Sequence, residues 1–263
     1  MKRLLTLSIA VLLLCTLGCL AVAAEDALTA EAYVTIASKG ALAVSYQKVT
    51  VTDADGDGAL TISDALYAAH EACFEGGAEA GYQAYMHEDY GLSLGKLWGD
   101  ASGNLGYYVN HASAWSLADP VKDGDAVYAF VYADGENFSD MYSFFDVNTA
   151  TAAVGGEVTL TLLAAGYDEN WNPVTLPVEG AVLTVDGVAT EVKTDAEGKA
   201  VLTLDTAGTH VISARSDAAT LVPPVCVAEV VAKPVPGGDG GVALFALLAL
   251  TAVCSMAFAA KRS

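Results

Sequence analysis

The chain has 263 residues, with 32 acidic side chains against 12 basic ones and a formal net charge of −20 at pH 7. Lys2, Arg3, Lys261 and Arg262 lie at the two ends, so the stretch between them is more acidic still. A surface of that sign repels phosphodiester backbones and anionic headgroups, which excludes a nucleic-acid-binding role.

Residues 1–24 read as a secretory signal. Lys2 and Arg3 form the charged start, an apolar run follows, and Ala21 to Ala24 offer small residues for cleavage. About 210 residues then precede a second apolar segment, enough for two domains of ordinary size. The first domain is expected over residues 31–146. Within it, residues 33–37 and 41–52 partly alternate apolar and polar side chains and are rich in β-branched types, so they predict two strands.

The next stretch, DADGDGALTISD, is the most specific in the chain. Counted as a twelve-residue calcium loop, Asp53, Asp55 and Asp57 take positions 1, 3 and 5. Gly58 takes position 6, where such a loop turns sharply. Ala59 offers a backbone carbonyl at position 7, Thr61 stands at 9 and Asp64 closes the loop at 12. A hard cation needs six or more oxygens, and alternate residues of a tight loop supply them. The competing reading is an acidic turn that caps a helix, with Thr61 or Ser63 as N-cap.

Residues 61–76 carry Ile62, Ala65, Leu66, Ala69 and Cys73 at helical spacing, and Gly76-Gly77 ends that helix. Residues 82–90 predict a short helix or an irregular stretch. Trp98, Tyr107, Tyr108, Val109 and Trp115 mark further strands, Asp123-Gly124-Asp125 a turn, and residues 126–132 a buried strand. The second domain is expected over residues 149–232, as short strands with turns every 8 to 12 residues. Asp186-Gly187 and residues 195–198 supply two of those turns. Residues 233–241 form a linker, residues 242–260 an uncharged span long enough to cross a bilayer, and residues 261–263 a cytoplasmic tail. The expectation is a single-pass cell-surface protein with an extracellular N-terminal region.

Several of these segments resemble known families. The loop with Asp at its last position resembles one half of a dockerin. Thr61 to Leu66, Leu97-Trp98, Gly106 to Asn110 and Val121 to Asp125 resemble the transcobalamin C-terminal-like domains of bacterial surface proteins. That resemblance implies an α+β, β-grasp-like fold with one main helix, and a ligand-facing strand and turn near His111. Val178 to Ala181 and Thr194 to Ala200 resemble bacterial Ig-like or carboxypeptidase-regulatory-like repeats, which implies an all-β sandwich. The Pro236 to Asp239 linker, apolar span and basic tail resemble the anchors of Gram-positive surface proteins, without a sortase motif.

Catalytic motifs are sparse. His70-Glu71 has no second histidine at zinc-protease spacing and reads as a surface helix pair. There is no nucleophile elbow and no phosphate-binding glycine loop, so the chain is not expected to be an enzyme. The candidate ligand face is Tyr107, Tyr108, Asn110, His111 and Trp115, since aromatic walls with an amide and an imidazole suit a glycan, peptide or corrinoid. The same rings could instead fill a small core. Cys73 and Cys226 are the cysteines outside the two apolar ends; two cysteines make no disulfide framework, and whether they pair is left open.

Overall fold

The computed structural model of the protein describes residues 28–232. The expected signal, linker, membrane span and tail lie outside the described residues. Among the described residues no helix is long and apolar enough to cross a membrane.

The chain opens with strands β1 (Thr29–Ser38) and β2 (Ala41–Thr52), an antiparallel hairpin turned at Lys39-Gly40, both at positive φ. Helix α1 (Ile62–Cys73) and the short α2 (Gly77–Gly81) follow. Next come β3 (Gln83–His87), β4 (Gly91–Lys96), β5 (Leu105–Val109), β6 (Ala112–Ser113) and β7 (Ala126–Val131). The sheet order is β2-β1-β7-β5-β6, with β1 and β7 parallel at its centre. Helix α1 lies over one face through Ile62, Ala65, Leu66 and Ala69.

The all-buried sequence of β7, AVYAFV, follows from what covers each face. Successive strand side chains point to opposite faces. Val127, Ala129 and Val131 pack in the core beneath α1, while Ala126, Tyr128 and Phe130 pack on the other side. Gly106 on β5 sits opposite Phe130, and a Cβ there would lie 2.4 Å from the ring. Gly106→Ala is therefore expected to cost about 1–3 kcal/mol by overpacking, read as a lower denaturant midpoint with an unchanged m-value.

Residues 82–90, expected as a short helix or irregular stretch, contain β3, which forms a two-stranded ribbon with β4. Gln83, Tyr85 and Met86 of β3 are exposed, so no clear apolar pattern marked that strand, while Leu94 of β4 is buried in the first core. Trp98 and Trp115 do not stand in strands either. Trp98 occupies a tight turn at φ 49, and Trp115 lies in a loop at 83% exposure.

The second half is a two-sheet sandwich. Its strands are β8 (Met141–Phe145), β9 (Thr149–Ala153), β10 (Gly156–Tyr167), β11 (Pro173–Pro177) and β12 (Val182–Val185). They continue with β13 (Val188–Lys193), β14 (Lys199–Leu204), β15 (Gly208–Arg215), β16 (Leu221–Val222) and β17 (Cys226–Val231). One sheet runs β11-β10-β8-β16, with β14 also on β10; the other runs β13-β12-β15-β17-β9. Leu160, Leu162 and Phe145 of the first sheet share a core with Leu183, Ile212 and Ala228 of the second. The β12–β13 turn is Asp186-Gly187 at φ 50 and 79, the primed geometry that matches strand twist. Strand β8 falls inside the range expected for the first domain, yet it pairs only with β10 and β16. Cys73 packs beside the first core and Cys226 is buried in the sandwich core; they are not bonded to each other.

A third apolar cluster joins the halves. Tyr128 and Phe130 of the first sheet meet Tyr142, Val222, Val225 and Val227 of the sandwich.

Candidate functional site

The acidic loop between β2 and α1 is organised by its own backbone. Asp53 accepts from the N–H groups of Gly56 (2.7 Å), Asp57 (3.1 Å) and Gly58 (2.9 Å). Asp57 accepts from Ala59 N–H at 2.8 Å. Gly58 stands at φ 86, a conformation that favours glycine. As a result Asp53, Asp55 and Asp57 each present a carboxylate oxygen within 4.8 Å of the others.

Asp64 is placed differently. It is 2% exposed, and its Oδ1 accepts from Ala54 N–H at 2.9 Å. Its Oδ2 accepts from the Thr61 N–H (2.9 Å) and the Thr61 hydroxyl (2.6 Å). Thr61 is the N-cap of α1, and the two residues form a reciprocal capping box. Leu60, Thr61 and Ile62 are held from the other side by residues 117–121, with Val121 N–H on the Leu60 carbonyl at 2.8 Å. The helix entry is thus fixed by backbone contacts on both flanks.

The electrostatics divide the three clustered carboxylates. Hydrogen bonds, first from Gly58, lower the Asp53 pKa. Asp55 is raised, by desolvation first and then by the charges of Asp57, Asp64 and Asp53. A cation placed among these oxygens would relieve that repulsion.

The five residues of the expected ligand face do not share one surface. Tyr107 turns toward the core beneath α1, and its hydroxyl reaches the Trp115 carbonyl at 3.3 Å. Tyr108 points the other way and stacks on Tyr142, with centroids 3.7 Å apart and rings 4° from parallel. Asn110 and His111 form the β5–β6 turn at φ 49 and 63. The Asn110 side chain accepts from Ala126 N–H and donates to Asp125, which holds the turn against the start of β7.

That turn drives His111 into the junction between the halves. Its ring stacks on Phe144 at 4.0 Å and Tyr128 at 4.6 Å. The Tyr128 hydroxyl donates to Asn148 at 2.9 Å, so it can only accept from His111 Nε2–H at 3.4 Å. The Tyr142 hydroxyl then donates to Nδ1 at 3.0 Å. The neutral Nε2–H tautomer satisfies this whole chain, and burial depresses the His111 pKa to about 4. Of the five, Trp115 and Asn110 are exposed, and the Asn110 side chain is already committed to the turn.

His70 is not the surface residue its neighbour Glu71 suggested; it is 0% exposed. Its Nδ1–H donates to the Leu66 carbonyl at 2.7 Å, and Nε2 accepts from Trp98 N–H at 3.1 Å. Phe74, Tyr82 and Trp98 surround the ring. Burial lowers its pKa to about 4. The sequence signal was present in hindsight, since His70 falls on the apolar stripe one residue after Ala69.

No family model and no curated protein matches the chain. Solved structures similar to parts of it include two sets of Ig domains. One is the N-terminal four Ig domains of Dscam1 isoform 9.44, at 13% identity and TM-score 0.20, covering 53% of this chain and 30% of that one. The other is immunoglobulin domains 1–4 of Sidekick-1, at 14% identity and TM-score 0.22, covering 78% of this chain and 52% of that one. The chain therefore spans less than two thirds of either.

Proposed function

We propose that the chain is a calcium-binding protein of the cell surface, held by a membrane helix over residues 242–260, with a binding or adhesion role rather than a catalytic one. The observation that carries the reading is the convergence of Asp53, Asp55 and Asp57 within 4.8 Å on a loop with EF-hand spacing. The Ala59 carbonyl, Thr61 and Asp64 would complete the ligand set. Asp64 Oδ1 accepts one hydrogen bond and so keeps a lone pair for a cation. Its commitment to the helix cap favours a modest affinity, about 10⁻⁴ to 10⁻³ M, the range of extracellular modules.

A bound ion would brace the entry to α1 in a β-grasp-like first domain, and the Ig-like sandwich would hold that domain away from the membrane. The depressed, hydrogen-bonded His70 and His111 are committed to structure, which supports a non-enzymatic reading. The exposed Trp115 is the aromatic ring of the expected face open to a glycan or peptide.

Calorimetry and thermal melting of the full chain with calcium test the ion. One site is expected, and calcium at about 100 times the dissociation constant should add about 2.7 kcal/mol. Asp57→Ala should remove both the heat and the shift. Absence of heat together with an unchanged melting temperature overturns the proposal.

A further inference from the structure

A second feature lies where the β1–β2 hairpin meets the sandwich. A cavity of about 520 Å³ opens there, between Gly40, Leu42 and Ser45 on one side and Val211, Arg215 and Pro223 on the other. Its size falls within the range of small-molecule sites. Three observations at its wall point to a ligand.

The first is Ser45. It is 5% exposed, and its Oγ is the one fully buried side-chain oxygen or nitrogen without a hydrogen-bond partner among the described residues. Leaving such a group unpaired costs about 1–3 kcal/mol. The second is how Ser45 comes to stand in the cavity wall. The β1–β2 register slips there: Val34 pairs with Gln47 but Ile36 pairs with Val44, which leaves Ser45 and Tyr46 opposite Thr35. Tyr46 adopts φ 49, strained for an aromatic residue, and its N–H is taken by the Thr35 hydroxyl at 3.1 Å. Bulges of this kind re-aim side chains and concentrate at functional sites.

The third is Arg215, the one arginine among the described residues of a strongly acidic chain. No carboxylate there pairs with it. The acidic residue in the cavity wall, Asp186, already gives one oxygen to His210 (2.7 Å) and the other to Val211 N–H (2.8 Å). Ser213 is similarly spent on the Pro224 carbonyl. The wall therefore offers an unpaired guanidinium and apolar surface from Leu42, Val211, Ala214 and Pro223, with the unpaired Ser45 hydroxyl buried behind it.

From this arrangement we infer that the cavity binds a monoanionic carboxylate carried on an apolar body, with the carboxylate on Arg215. A guanidinium pairs two-pronged with a carboxylate. A single cation in a chain of net charge −20 suits one negative charge rather than two. The shared chemistry fits either a free organic acid or the C-terminal carboxylate of a peptide. The site is independent of the calcium loop, so it stands or falls separately from the calcium reading.

The test is calorimetry on the full chain in mild detergent, with chelator present. The probes are 4-phenylbutyrate, 4-methylpentanoate and N-acetyl-alanyl-phenylalanine, each beside its primary amide. Saturable one-to-one binding of at least one acid is expected, weakened about tenfold or more in the amide and in Arg215→Gln. The ranking of peptide against free acids names the source. Arg215 is exposed, so its replacement should leave the melting curve in place. No saturable binding by any acid, equal binding by the amides, or unchanged binding in Arg215→Gln overturns the inference.

Discussion

Tyr142→Ala is expected to destabilise the chain by about 3–5 kcal/mol, the cost of deleting a fully packed aromatic ring. Tyr142 is 5% exposed and stands at the centre of the junction between the two halves. Its ring stacks on Tyr108 at 3.7 Å, and lies within 6.2 Å of Tyr128, Phe130 and His111. Its hydroxyl closes the hydrogen-bond chain through His111 to Tyr128 and Asn148. Tyr142→Phe keeps the ring and removes one hydrogen bond, so a loss of about 1 kcal/mol is expected. Urea unfolding measures both. An alanine variant that loses less than about 1 kcal/mol would show that the junction adds little to stability. A double-mutant cycle with Tyr108→Leu should return a coupling of about 0.5–1.5 kcal/mol, the usual worth of a stacked pair beyond its buried area.

Stability is also expected to fall as pH drops below neutrality, before the bulk of the carboxylates titrate. His70 has an ordinary value of 6.5 and is held at about 4 by burial. The folded-state pKa is depressed, so the unfolded chain takes up the proton first. The stabilisation is therefore fully present above about pH 6.5 and is lost as pH falls toward 4. For a histidine with no exposure the loss over that window is about 3 kcal/mol. His111 acts in the same direction, with a smaller contribution because it is partly exposed. His210 opposes them. Its pKa is raised, first by Asp186, so its contribution is present below 6.5 and is lost as pH rises through the raised value. Urea unfolding between pH 7 and 4.5 should show a slope approaching 1.4 kcal/mol per pH unit per buried histidine. His70→Leu should lower stability at pH 7, because Trp98 N–H loses its acceptor, yet flatten the slope. An unchanged slope in that variant would refute the assignment.

Several local features were legible in the order of residues alone. The β1–β2 hairpin, the α1 stripe with its cap at Thr61, the sharp turn at Gly58 and the Asp186-Gly187 hairpin each depend on neighbours a few positions away. Turn and cap chemistry acts over that range, so periodicity and glycine placement suffice to find it. What the cluster Asp53, Asp55, Asp57 shares as geometry also follows from its alternate spacing.

Only the tertiary structure decided the rest. An aromatic strand such as AVYAFV is buried on both faces because a helix covers one and a second sheet covers the other, and nothing in its own residues says which partner comes. The same uncertainty hid the allegiance of β8, whose pairing strands lie about 20 and 80 residues further on. Tyr108 and His111 look like a ligand face when seen as a string of polar-edged rings. Folding brings Tyr142 and Phe144 against them, so that Tyr108 is covered by a stacked ring and the His111 nitrogens are bonded within the junction instead of to a ligand. Ser45 and Arg215 give the converse case, 170 positions apart in the numbering and unremarkable in the sequence. A register slip in one hairpin and the docking of two halves put them at the wall of one cavity.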